Sequence, residues 1–105
     1  MEQPNNNYII QLAGDNLEFK SKMIAILKKE LPEEIENYHK QLLNNDLLEA
    51  AQCVHKLKHK ISILGLEKSY YIAEQFEAHL NNKNTVLQSD FEAILKVMLQ
   101  FVREL

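Results

Sequence analysis

The chain has 105 residues, 46% of them hydrophobic, which is enough for one domain around a single core but not for a separate cofactor domain. Its formal net charge is −3, and Arg103 is its one arginine. Both facts argue against a dedicated nucleic-acid binder, since arginine is the usual reader of bases and phosphates.

Glycine and proline number only two each, so the chain has few breaks, and apolar spacing predicts helices throughout. Tyr8-Ile9-Ile10-Gln11-Leu12 reads as a short helix closed by Ala13-Gly14. Asp15 offers an N-cap, and Glu18 three residues later completes a capping box. Phe19, Met23, Ile26, Leu27 and Leu31 then recur at three- and four-residue steps, and Ile35, Tyr38 and Leu42 continue the stripe past Pro32. The expectation is one long helix kinked at the proline, with two separate helices as the alternative.

Asn44-Asn45-Asp46 makes a turn and caps a helix whose core stripe is Leu47, Ala50, Ala51, Val54, Leu57 and Ile61. Gly65 suits a left-handed C-cap. The next helix buries Leu66, Tyr70, Ala73, Phe76 and Leu80 and stops at Asn81-Asn82-Lys83-Asn84. Ser89 with Glu92 suggests a second capping box, before a last helix presenting Phe91, Ile94, Leu95, Met98, Val102 and Leu105. Strict apolar–polar alternation is absent, so no sheet is expected. The predicted fold is all-α: one domain over residues 1–105, an antiparallel up-down four-helix bundle with a short extra N-terminal helix.

No apolar run approaches the roughly 18–20 residues that span a bilayer. The segment Met1 to Asn7 lacks the basic and apolar regions of a secretion signal. A single cysteine, Cys53, fits a reducing compartment. Together with Met1 and the complete helix set, these features lead us to expect a free-standing cytoplasmic monomer.

The chemistry concentrates in Val54-His55-Lys56-Leu57-Lys58-His59-Lys60-Ile61-Ser62-Ile63-Leu64-Gly65. Residues 55–60 hold three lysines and two histidines without an acid, a local positive patch that suits an anionic partner or a phosphate. With Val54 at the centre of the buried stripe, helical geometry sets Lys58 about 40° away, Ser62 about 80°, His55 about 100°, Leu48 about 120°, His59 about 140° and Gln52 about 160°. His55 therefore lies on a flank, half exposed, sharing it with Leu48, Gln52, His59 and Ser62. Lys58 stands between His55 and the core, its stem on apolar surface and its ammonium reaching out beside the imidazole.

Phosphoryl transfer to histidine needs a ring nitrogen with a free lone pair, an acceptor on the other nitrogen to fix the tautomer, and a nearby cation. His55 and Lys58 supply the nucleophile and the cation. His55 and His59, four residues apart, also have the spacing of a helical metal grip. A third ligand is not in sight, since His39, His79 and Cys53 are not placed to converge and the lysines would repel a cation, so no metal is expected. The lysine run is too short, and too poor in aromatics, for a membrane or nucleic-acid patch. No glycine-rich phosphate loop or catalytic triad is present, so autonomous kinase activity is not expected.

This run resembles the histidine phosphotransfer (HPt) domain of two-component phosphorelays. That family's pattern is a phosphorylatable His, an aliphatic residue at +2, Lys at +3, Gly at +4, a small polar residue near +7 and Gly at +10. His55, Leu57, Lys58, Ser62 and Gly65 match it. The family's ring-orienting Glu or Gln, 22 positions after the histidine, falls on Glu77, and Leu12-Ala13-Gly14-Asp15 looks like its N-terminal segment.

The resemblance implies a phosphoryl carrier rather than an enzyme. His55 would be the covalent acceptor, Lys58 would steady the phosphoryl oxygens, and Glu77 would orient the ring. Leu48, Gln52, His59 and Ser62 would form part of the docking face. The implied partners are response-regulator receiver domains, or a hybrid sensor histidine kinase, which themselves bring Mg²⁺; this chain would hold no cofactor. One position departs: the +4 glycine is His59, which implies a changed partner geometry, a second ring on the phosphate, or lost transfer, and the first is favoured. Ser62 fits either close packing or a polar contact. An adaptor that binds a receiver or kinase without phosphate chemistry is the alternative function.

Overall fold

The computed structural model describes residues 2–105; Met1, where the predicted domain begins, lies outside them. Five helices follow one another, α1 (Asn7–Ala13), α2 (Leu17–Leu43), α3 (Leu47–Ile63), α4 (Glu67–Asn81) and α5 (Gln88–Arg103), and no strand occurs among the described residues. The predicted bundle is observed: α3 packs between α2 and α4, α5 closes the ring against both, and α1 rests on α2. The molecule measures 45 × 23 × 18 Å. The 27 residues of α2, about 40 Å long at helical rise, set that long axis. Pro32 sits inside α2, so the single long helix is the form taken.

The core follows the predicted stripes closely. Val54, Leu57, Ile61, Ala73, Phe76, Leu80, Phe91 and Met98 are fully buried. The rings of Tyr38, Phe76 and Phe91 meet at the centre, with centroids 5.2–6.3 Å apart. Such tilted and edge contacts suit aromatic quadrupoles. Two residues of the predicted stripes lie outside the core: Phe19 is 40% and Ile26 52% exposed. The buried line of α2 runs through Leu27, Leu31, Ile35 and Tyr38, and Ile26 points about 100° or more away from each of them, while Phe19 belongs to the first turn.

The turns after α2, α3 and α4 share one device. Asp46 N–H donates to Gln41 and Asn45 N–H to Leu42 after α2; Leu66 N–H donates to Ile61 and Gly65 N–H to Ser62 after α3; Asn84 N–H donates to His79 and Lys83 N–H to Leu80 after α4. These are Schellman closures, each with a left-handed residue: Asn45 (φ 55°), Gly65 (φ 74°) and Lys83 (φ 59°).

The helix starts differ from expectation at two places. Asn16, not Asp15, caps α2, its side chain accepting from Phe19 N–H, and Glu18 instead pairs with Lys22 at 3.4 Å. Ser89 lies inside α5, whose N-cap is Leu87, and Glu92 turns to His39 of α2 at 2.6 Å. A cross-helix partner outcompeted the local box. Asp46 caps α3 as predicted, accepting from Glu49 N–H.

The start of α4 is capped from a distance. Its N-cap residue is Leu66, which has no side-chain acceptor. Glu2 supplies one: its carboxylate accepts from Lys68 N–H at 3.1 Å and Ser69 N–H at 2.7 Å, the amides a local cap would serve. Partial burial works against the charge, but these backbone donors hold the Glu2 carboxyl below its ordinary range. Pro4 is buried, and Asn5 N–H donates to Leu64 O. Residues 2–5 thus strap the turn joining α3 to α4.

Candidate functional site

The site is built on the α3–α4 hairpin. His55 stands midway along α3 with its side chain 57% exposed, as its flank position predicts. Glu77 faces it from α4, its carboxylate oxygens 3.2 and 3.3 Å from His55 Nδ1. An ionised carboxylate only accepts, so Nδ1 carries the proton and donates. In the neutral ring that tautomer leaves the lone pair on Nε2.

Lys58 corrects the expectation of an outstretched ammonium. Its side chain is only 9% exposed and its Nζ lies 2.9 Å from Glu77 Oε1. The Tyr70 ring covers it, with the centroid 5.6 Å away. Glu77 therefore bridges imidazole and ammonium. The hydrogen bond to Glu77 raises the Lys58 pKa above its ordinary value against an opposing burial cost, so the cation is secure at neutral pH.

Leu48, Gln52, His59 and Ser62 are all exposed on α3. The His59 ring meets the His55 ring edge-on, centroids 5.7 Å apart. Ser62 borders a cavity of about 620 Å³ lined also by Asn5, Tyr8, Gly65 and Tyr70. His39 and Cys53 are engaged elsewhere, with Glu92 and with Asn37, whose side-chain amide donates to the Cys53 thiol at 3.4 Å.

The positive patch is weaker than the lysine count suggests. Lys58 is paired with Glu77, and Lys60 lies 2.9 Å from both Glu30 and Glu34 of α2. Lys56 is the lysine of the run that stays exposed. Counting charges along α3 could not reveal counterions carried by α2 and α4.

Periodicity gives Tyr70 a place in the core stripe alone. It lies seven residues before Glu77, hence about two turns away on one face of α4, and that spacing was the available signal.

The Hpt domain family profile matches residues 22–105. The chain belongs to the Hpt domain family. The match begins within α2, so it does not extend to the Leu12–Asp15 likeness. No match was found among curated proteins or among solved structures. Hpt domains are phosphocarrier modules of two-component phosphorelays, and the five-helix architecture suits that membership. Among the described residues no helix is long and apolar enough to cross a membrane.

Proposed function

We propose that this Hpt domain carries a phosphoryl group on Nε2 of His55 between receiver-domain aspartates. The observation that carries the reading is the bridging carboxylate of Glu77: it accepts the hydrogen bond from Nδ1–H and leaves Nε2 as the nucleophile of an exposed ring. In the forward step the Nε2 lone pair attacks phosphorus, and the P–O bond to the receiver's aspartate breaks. The carboxylate departs with the electron pair. The proton stays on Nδ1, where Glu77 stabilises the positive ring. Lys58 is the cation for the phosphoryl oxygens, and the receiver brings Mg²⁺ and its own acids. The chain contributes imidazole, cation and docking face, acting as a monomeric cytoplasmic carrier rather than a turnover enzyme.

Leu48, Gln52, His59 and Ser62, exposed along α3 with His55, are assigned to the docking face, together with the exposed side chains of Tyr8 and Leu12 on α1. The test follows label from a phosphorylated receiver onto wild type and His55→Gln at neutral or alkaline pH, because phosphohistidine is acid-labile. Label on wild type alone supports the assignment; label retained by the variant refutes it.

One observation favours the adaptor reading. His59 places a second ring against His55 where a receiver must approach. His59→Gly separates the two: a gain in transfer rate marks the native protein as tuned toward binding, whereas unchanged kinetics mark His59 as harmless to transfer.

A further inference from the structure

Lys58 presents a problem for the transfer just described. The cation needed at Nε2 sits in a sheath, 9% exposed, whereas the imidazole beside it is 57% exposed. An ammonium is strongly hydrated and carries three donors, so a covered one needs substitutes for water. Glu77 Oε1 takes one donor at 2.9 Å. On another side lies the face of Tyr70, its centroid 5.6 Å from Nζ. A ring face attracts a cation through its quadrupole without consuming an N–H in a strong hydrogen bond. It also adds no full negative charge to compete with an incoming phosphate.

We infer that Tyr70 is a positioning residue for phosphoryl transfer: its ring holds the Lys58 ammonium beside Glu77 with donors unspent, one carboxylate away from His55. The inference rests on the transfer reading above. Because Glu77 touches both Nδ1 of His55 and Nζ of Lys58, ammonium and imidazole are neighbours around one group. When the Nε2–P bond forms, Lys58 turns an N–H toward a phosphoryl oxygen while Tyr70 limits how far the stem swings. Glu74, one turn from Tyr70 on α4, adds to the negative field at the ammonium.

The experiment measures single-turnover transfer from a receiver domain of the same genome, phosphorylated with acetyl phosphate. The proteins compared are wild type, Tyr70→Phe, Tyr70→Leu, Lys58→Met and the Tyr70→Leu/Lys58→Met double variant. Tyr70→Phe keeps the ring and is expected to match wild type. Tyr70→Leu is expected to slow transfer by about 3- to 30-fold, the range of a partly covered cation–π contact. In the Lys58→Met background it should add no further loss. Equal slowing in both backgrounds would assign Tyr70 to packing and overturn the inference, as would a Tyr70→Leu rate equal to wild type or a Tyr70→Phe rate as slow as Tyr70→Leu.

A second readout is independent of transfer. The ¹⁵Nζ ammonium signal of Lys58 should be protected from exchange in wild type and Tyr70→Phe and lost in Tyr70→Leu. If wild type takes no label from any receiver, the transfer reading falls and the positioning role of Tyr70 in transfer with it. A protected ammonium would then report a structural clamp alone.

Discussion

Lys58 Nζ and Glu77 Oε1 lie 2.9 Å apart, with the lysine side chain almost wholly covered. This pair couples the site to the stability of the α3–α4 hairpin. The hydrogen bond to Glu77 is the largest cause of the raised Lys58 pKa, and burial opposes it. A group raised on folding stabilises fully below its unfolded value, about 10.4 for lysine, and loses that contribution as pH climbs through the folded value. Urea unfolding of wild type and Lys58→Met from pH 8 to 11.5 should therefore show a stability difference that changes only at the alkaline end. A difference constant to pH 11.5 would contradict the pairing.

Glu2 extends the same argument to the acid side. Although partial burial opposes it, the amides of Ser69 and Lys68 hold the Glu2 carboxyl low. Its contribution is present above the unfolded value, about 4.3, and disappears as pH falls through the folded value. Glu2→Ala is expected to cost about 1 kcal/mol at pH 7, the usual loss for an N-cap, and much less near pH 3. Hydrogen exchange should show the loss at the amides of Lys68 and Ser69. Unaltered exchange there would mean that the strap does not cap α4.

The turn after α4 carries avoidable strain. Lys83 occupies the left-handed position at φ 59°, where Gly65 and Asn45 serve the two preceding turns. A side chain with a Cβ pays roughly 1 kcal/mol or more for that conformation. Lys83→Gly should raise stability by about 0.5–1 kcal/mol, read as a higher urea midpoint at unchanged m-value. A lower midpoint would show that the lysine makes a compensating contact.

Gly65 should respond in the opposite sense. A Cβ there meets left-handed strain at φ 74° and would stand 2.6 Å from the Asn5 side-chain nitrogen. Gly65→Ala is expected to destabilise by more than about 1 kcal/mol. It should also displace Asn5, visible as loss of protection of the Asn5 amide that donates to Leu64 O. Full protection would mean that the strap yields without cost.

Periodicity read from the residues located nearly every core position, because a buried helical face needs apolar side chains at three- and four-residue steps and little else supplies them. Leu57, Phe76 and Met98 were legible for that reason. Ile26 was not, because an apolar residue at a helix flank is buried only if a neighbouring helix covers it. Capping residues compete among near-equal options: Asn16 displaced Asp15 by one position, and Glu92 left a local box for His39 across the bundle.

The site divides along the same line. That His55 stands on a flank, that Cys53 lies away from it and that Glu77 is an α4 residue all follow from 100° arithmetic, capping and family pattern, which the chain carries locally. Whether Lys58 reaches outward or folds under Tyr70, whether Lys60 stays an open charge or is neutralised by Glu30 and Glu34, and whether α4 is capped by its own residue or by Glu2 were decided by tertiary structure alone. Each depends on a partner from another helix or from the N-terminal strap. One-dimensional periodicity specifies which way a side chain faces, but the group it meets there is supplied by packing.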